Sequence, residues 1–428
     1  MQWWEKKGNL EVKGNRLFLC GIACAELARA YGTPLYAINA DRVIENFQSA
    51  KKAFSACANR DVRVHFALKA NSNLFLLKLL QKEGAWVDAV SPNEVRMALL
   101  AGFPKEKILF TGTSVSNNDL KELAELGVTV NVDSFSQLRR FAALRPENKN
   151  ISIRWNPGVG AGHHGHVITA GKFIKFGVPE KKILNAFSEA KKLGLNVIGL
   201  HQHIGSGWLG KDVNAFLATV GKTLLIARKA EKILGKPLEF VDFGGGPGIR
   251  YKKEQKDFPL NAYAKGICNK MKKSKLGAAI AIEPGRFIVG DSTVLLTEVN
   301  TVEEKNVPIL GVDSGFNSLI RPSFYGAYHE IVNCNNVHSR KTKKVLVAGN
   351  LCESGDAFNQ PKEKLRALPE TKEGDVLAIL CAGAYGYSMA STYNLRGRPA
   401  EAIVQKGRHF LATEREKFYD LIALHKKQ

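Results

Sequence analysis

A regular alternation of short apolar runs with helical patterns constrains the fold of this chain more than any other feature. The expected strands are Val64–Leu68, Trp86–Val90, Ile108–Thr111, Val128–Val132, Ile151–Trp155, Val197–Ile204, Phe240–Phe243 and Ala279–Ile282. Helical periodicity falls between them, over Pro92–Ala101, Asn117–Leu126, Ser134–Leu144, Lys181–Leu193 and Val213–Leu234. Strands that alternate with amphipathic helices build parallel βαβ units. Eight such units in roughly 220 residues match a (β/α)8 barrel. An open doubly wound sheet is the alternative, but it would carry its glycine fingerprint after the first strand. Here the main glycine cluster follows the seventh strand, where barrels often hold phosphate.

After Gly290 the pattern changes. Ser292–Val302, Val307–Val312, Lys344–Val347 and Val376–Leu380 read as strands with few helices between them. Residues 8–40 add short strands, including Thr33–Ile38, and Asp41 is expected to cap a helix running to about Cys57. The expected architecture is therefore an α/β chain. A TIM-like barrel spans 40–285, and a mostly-β barrel or sandwich domain is made from 1–39 plus 286–428.

Composition narrows the function classes. Of 428 residues, 45% are hydrophobic and 24% charged, as in ordinary globular proteins. No apolar run approaches the ~18 residues that span a bilayer, and the start, Met1-Gln-Trp-Trp-Glu-Lys-Lys, lacks a signal-peptide layout. A cytoplasmic protein without membrane association is expected. Net charge is +22, but the lysines lie in scattered doublets such as Lys51-Lys52, Lys181-Lys182 and Lys343-Lys344. Without a basic block interleaved with aromatics, a solvated basic surface is favoured over a nucleic-acid face. The seven cysteines are scattered and lack zinc-site spacing, so free thiols are expected.

Chemistry concentrates at the expected strand ends. Lys69 follows the first strand, in His65-Phe-Ala-Leu-Lys69-Ala-Asn71-Ser-Asn73. A surface lysine is the bland reading. At a barrel mouth, a desolvated lysine can instead attack a carbonyl and form a Schiff base. Asp242-Phe-Gly244-Gly245-Gly246-Pro-Gly248 follows the seventh strand and is either a tight turn or a phosphate cradle. Glu283-Pro-Gly285-Arg286 follows the eighth and offers an ion pair or working groups. His201-Gln-His203-Ile-Gly-Ser206 follows the sixth; we place its two histidines on opposite faces, one of them in the mouth. His163, His164 and His166 lie in a glycine-rich loop without metal-site spacing, and no metal is expected. Arg321-Pro-Ser-Phe-Tyr325, Cys352-Glu353-Ser-Gly-Asp356 and Ala384-Tyr385-Gly-Tyr387 bring reactive side chains to loops of the second domain.

Together these motifs resemble the fold-type III pyridoxal-phosphate decarboxylases, related to alanine racemase, from about Gly32 to Gly407. The resemblance implies an alanine racemase-like barrel and pyridoxal 5'-phosphate as cofactor. Lys69 carries it in this reading, and Ser206 with Gly244, Gly245 and Gly246 holds its phosphate. Glu283 faces the pyridine nitrogen and His203 stacks on the ring, with Asp88, Gly285, Arg286 and Tyr385 completing the cofactor set. Arg321-Pro-Ser-Phe-Tyr325-Gly-Ala-Tyr328-His329-Glu330 and the Cys352 motif resemble the branch acting on diaminopimelate. That implies decarboxylation of meso-2,6-diaminopimelate to L-lysine and CO2, the last step of lysine biosynthesis by that route. Arg286, Arg321 and Tyr325 would grip the distal carboxylate, Glu353 the distal ammonium, and Tyr385 both cofactor and substrate. Cys352 would donate the proton from the partner subunit of a homodimer. Asn394-Leu-Arg396-Gly-Arg398-Pro399 departs from the usual Ser-Arg-Pro-Arg-Pro ending. A decarboxylase of another basic amino acid, a racemase, or a non-catalytic binding protein on the same fold are the alternatives.

Overall fold

The computed structural model describes residues 2–57, 60–158, 170, 174–339, 341–359 and 365–426. The His163, His164 and His166 loop lies outside the described residues. The chain divides into two compact units. One comprises residues 46–249 and 256–287, the other residues 1–45, 250–255 and 288–428.

The first unit is a closed barrel of eight parallel strands. They are β1 (Val62–Ala67), β2 (Trp86–Ala89), β3 (Ile108–Phe110), β4 (Thr129–Val132), β5 (Asn150–Asn156), β6 (Asn196–His201), β7 (Phe240–Asp242) and β8 (Ala279–Ile282). β8 pairs with β1 and β4 with β5, so the ring closes and the open-sheet alternative falls. The same local device starts three of the intervening helices. Ser91, Ser116 and Ser134 each accept a hydrogen bond from the backbone N–H three residues on, at 3.2, 3.0 and 3.2 Å. Glu94 and Gln137 reach back one residue further and accept the N–H groups of Val90 and Asp133, just ahead of each cap. Each helix then turns an apolar stripe inward, as Leu120 and Leu123 do in Asn117–Leu126.

The barrel interior departs from the usual filling of branched aliphatic side chains. Leu109, Ile198, Phe240, Ala279 and Ala281 form an apolar plug. Beyond it, His65, Asp88, Asn131, Ser152, Arg154, His201 and Asp242 are all buried. A polar interior must be internally paired, so the register of the strands carries unusual weight here.

Three local expectations are corrected. The helix expected to begin after Asp41 is Ala40–Ala53, and Asn39 caps it by accepting the Arg42 N–H at 3.1 Å. β1 runs Val62–Ala67 rather than Val64–Leu68, and Leu68–Ala70 forms a single 3-10 turn that carries Lys69 just beyond the strand. β6 stops at His201, not Ile204.

The second unit is mostly β. Its longest strand, Thr293–Glu304, pairs in succession with Leu35–Asn39, Val376–Ile379 and Pro308–Val312, all antiparallel. A register shift between Val299 and Thr301 lets one strand serve these partners. Its buried face supplies Leu295 and Val299 to a core with Tyr36, Leu310, Leu319, Ile331 and Leu377. No described helix is long and apolar enough to cross a membrane.

The expectation of free thiols throughout is also corrected: Cys57 and Cys268 are disulfide-bonded, with Cα atoms 5.2 Å apart. They are 211 residues apart in sequence. Barrel closure makes β8 and β1 neighbours, and that brings together the segments preceding each strand. The link therefore closes a long loop across the seam of the barrel. Cys57→Ser should lower the unfolding free energy by about 2–4 kcal/mol in non-reducing denaturant titrations. Dithiothreitol should lower the parent by a similar amount and leave the variant unmoved.

Candidate active site

The site is built at the C-terminal ends of the barrel strands. Lys69 Nζ lies 2.5 Å from Asp88 Oδ2. The pairing follows from register, because Ala67 of β1 lies beside Asp88 of β2. Thr111, just beyond β3, donates to the other Asp88 oxygen at 2.5 Å. Asp88 is thus held from both sides while fully buried. The Lys69 side chain keeps 32% exposure, so it is a paired, partly exposed lysine at the mouth rather than a fully desolvated one.

The Gly244–Gly246 segment is a turn in which side chains do not fit. Gly244 has φ +73°, and a Cβ there would lie 2.4 Å from the Gln202 carbonyl oxygen. A Cβ on Gly245 would lie 2.4 Å from the Glu283 carbonyl oxygen. The Gly244 N–H donates to Asp242 Oδ1 at 2.8 Å, so β7 fixes its own turn. Gly285 is equally confined, with a Cβ there 2.9 Å from that of Ala70.

Glu283 is buried, and His201 Nε2 lies 3.2 Å from its Oε1. Burial pushes the Glu283 carboxyl up, but the His201 ring beside it, with Lys69 and His65, holds it down to about 2. Because β6 stops at His201, His203 lies beyond the strand, and the expected placement of the two histidines on opposite faces of one strand does not arise. His203 stands against Gly244 and Gly245, and burial followed by the Arg154 charge pushes its ring well below the usual imidazole range. Arg154 is itself buried, with its guanidinium 4.5 Å from the centre of the Phe176 ring. Burial lowers its pKa, opposed by Glu283, Asp133, Asp88 and Asp242. Arg286 is buried at the start of the short helix Arg286–Val289. Ser206 is half-buried in the stretch after β6.

The remaining site candidates belong to the second unit. Arg321 opens the helix Arg321–Tyr325 and is buried. Its Nη1 donates to Tyr251 Oη at 3.1 Å and to the Ala384 carbonyl at 3.3 Å. Tyr325, at the end of that helix, is half-buried. Tyr385 follows Ala384 and adopts φ +58°, a left-handed conformation uncommon outside glycine. Cys352 and Glu353 are exposed on a loop that Asp356 organises. The Asp356 carboxylate accepts the N–H groups of Phe316 and Leu351, at 2.7 and 2.8 Å. The Cys352 N–H donates to the side chain of Asn394 at 2.8 Å, where the motif departs from the usual pattern.

Sequence reasoning missed Thr111, Arg154, Tyr251 and the part played by Asp356. Register exposes the first two as inward-facing polar groups; Tyr251 comes from a short segment, Arg250–Gln255, that carries no strand or helix pattern.

The donor set of the barrel suits pyridoxal phosphate. It combines an amine at the mouth, a backbone turn too tight for any Cβ, a half-buried imidazole and a buried carboxylate held anionic. The chain matches the family model for the pyridoxal-binding domain of pyridoxal-dependent decarboxylases over residues 40–290. It is 45% identical to the diaminopimelate decarboxylase of Methanothermobacter thermautotrophicus over 411 residues, 95% of this chain and 94% of that protein. The enzyme of that name from Aquifex aeolicus is 35% identical, with 96% of each chain covered. The crystal structure of diaminopimelate decarboxylase from Methanocaldococcus jannaschii in complex with L-lysine superposes with a TM-score of 0.90 at 34% identity, covering 98% of both chains.

His65 makes the interior sensitive to acid. Burial lowers its pKa from 6.5 to about 4. Between those values the unfolded chain takes up a proton that folded His65 refuses, so this contribution to stability falls as pH drops from 6.5 to 4. The parent should lose up to roughly 3 kcal/mol more than a His65→Phe variant over that window. Urea unfolding at each pH measures the difference.

Proposed function

The chain belongs to the pyridoxal-dependent decarboxylases, and from that membership we propose that it decarboxylates meso-2,6-diaminopimelate to L-lysine and CO2. The observation that carries the reading is the order of the barrel wall. Three consecutive strands, β7, β8 and β1, deliver the glycine turn, the buried Glu283 and Lys69 to one end of the barrel. Likeness to diaminopimelate decarboxylases across 95% of the chain supports the substrate. So does the Arg321–Glu330 motif.

Bound in this barrel, pyridoxal phosphate supplies the electron sink for loss of a carboxylate. Lys69 carries it, and Asp88 orients the Lys69 amine. Because the Gly244 amide is committed to Asp242, the amides of Gly245 and Gly246 with the Ser206 hydroxyl take the phosphate. Glu283 holds a proton at the ring nitrogen and His203 covers a ring face. Gly285 lets the chain pass close to Ala70, and Arg286 and Tyr385 contribute further contacts. Arg321, Tyr325 and Arg286 take the distal carboxylate, since an anion leaving water must be paired. Glu353 takes the distal ammonium. Cys352 gives its thiol proton to the α-carbon.

The thiol acts in the site of a second copy, which makes the protein a homodimer; the exposure of Cys352 in the single chain supports this. The domain built around Thr293–Glu304 completes the site across that dimer. The substrate is a small molecule, and the protein acts in the cytoplasm.

A CO2-release assay with separate diaminopimelate stereoisomers and ornithine, with and without added cofactor, tests the reading. Turnover of the meso isomer is expected; turnover of ornithine but not of meso-diaminopimelate overturns it. Arg321→Met should lower kcat/KM for meso-diaminopimelate by roughly 10²–10³-fold, because the distal carboxylate loses a charged partner. Lys69→Ala should abolish turnover and leave the cofactor fully removable by dialysis.

A further inference from the structure

We propose that His201 is a positioning residue that assigns the negative charge to Glu283 rather than to Asp242, and thereby keeps the cofactor's ring nitrogen protonated. The inference deepens the pyridoxal-phosphate reading and rests on it.

The geometry begins with register. In the barrel wall Asp242 lies between His201 of β6 and Ala281 of β8. Glu283 is two residues beyond Ala281 and shares its inward face. On the other side of β8, Ile282 pairs with Val64, which sets His65 at the level of Glu283. Four titratable side chains, His65, His201, Asp242 and Glu283, therefore meet inside the barrel, and all are buried. His201 Nε2 lies 3.2 Å from Glu283 Oε1, and His65 Nδ1 lies 3.6 Å from Asp242 Oδ2. Ligating atoms of His65, Asp242 and Glu283 all fall within 4.8 Å of one another.

Two carboxyl groups this close in a dry interior do not both ionise; one of them keeps a proton. The choice is not obvious from the carboxyls themselves. Asp242 Oδ1 accepts the Gly244 N–H at 2.8 Å, which by itself would make Asp242 the anion. The opposing preference comes from His201, which stands against Glu283. Burial raises both groups, yet Glu283 is brought down to about 2 while Asp242 is pushed well above the usual carboxylate range. Lys69 acts on both carboxyls in the same sense, and so does not choose between them. Asp88 adds a like charge that raises Asp242. Arg154 faces the whole group from β5.

Charge placement matters because only an anionic Glu283 offsets the positive charge of a protonated ring nitrogen while accepting its hydrogen bond. If the shared proton moves from Asp242 to Glu283, the partner of that nitrogen becomes a neutral acid. The nitrogen then loses its proton, and with it the power to withdraw electrons. His201 touches neither the reacting atoms nor the phosphate turn in this arrangement; it acts through Glu283.

The test uses holoenzyme loaded with pyridoxal phosphate labelled with ¹⁵N at the ring nitrogen, read by solid-state NMR between pH 6 and 9. The parent should show a protonated nitrogen throughout. His201→Phe should show at least tenfold less of the protonated form at neutral pH. His201→Gln, whose amide replaces the donor, should keep it. Asp242→Asn added to His201→Phe should restore it, because the competing carboxyl is gone. Should His201→Phe fail to fold, His201→Asn is too short to reach Glu283 and is expected to behave as His201→Phe. A parent-like spectrum in His201→Phe or His201→Asn overturns the proposal, as does failure of Asp242→Asn to restore the proton. Stoichiometric metal in the holoenzyme by elemental analysis also overturns it, since a cation among His65, Asp242 and Glu283 would set their charges instead. A parent that retains no cofactor would overturn the pyridoxal-phosphate reading itself, a result distinct from all of these.

Discussion

Charge buried inside the barrel has to be balanced, and much of the first unit can be understood from that requirement. Lys69 and Arg154 are the cations; Asp88 and Glu283 are the anions. Asp242 joins them as an acid rather than a third carboxylate. An unpaired ion in such a space would cost several kcal/mol. The pairing is therefore reinforced by neutral groups such as Thr111 on Asp88 and the Gly244 amide on Asp242. The same low-dielectric interior that makes mispairing costly lets His201 direct a proton by standing 3.2 Å from one carboxylate.

The second unit solves a different problem. Its reactive candidates sit on loops, and loops need to be held. Asp356 does this for Cys352 and Glu353 by accepting two backbone N–H groups from separate segments. Gly315 and Gly349 leave room for that carboxylate, since a Cβ on either would come within 2.8 Å of it. Arg321 is held by Tyr251 and the Ala384 carbonyl. In both places a polar working group is fixed by hydrogen bonds to residues from other segments.

Much of the barrel was legible from periodicity. Asn117–Leu126 and Val213–Leu234 form with the bounds expected, because apolar spacing and a closing glycine, Gly127 or Gly235, are local to each segment, and Ser116 caps the first. Local signals failed where a partner from elsewhere decided the outcome. β1 ends at Ala67 because Lys69 turns toward Asp88 of the next strand. Asn39 displaced Asp41 as the helix cap, a choice between two good capping residues two positions apart. The Cys57–Cys268 link joins residues with no pattern relating them in the chain.

By itself the sequence determined that eight strands would alternate with helices, and that a lysine, a glycine turn and a Glu-Pro-Gly-Arg run would stand just beyond strand ends. Those are consequences of short-range periodicity, capping and turn chemistry. Only the tertiary structure decided which polar groups face each other inside the barrel. Strand register pairs His201 with Asp242 and Ala67 with Asp88, and closure sets His65 level with Glu283. Register is a relation between segments far apart in the chain, and no window of residues contains it. The lysine at the end of the first strand could be found by reading along the chain; the groups that settle the charges around it could not.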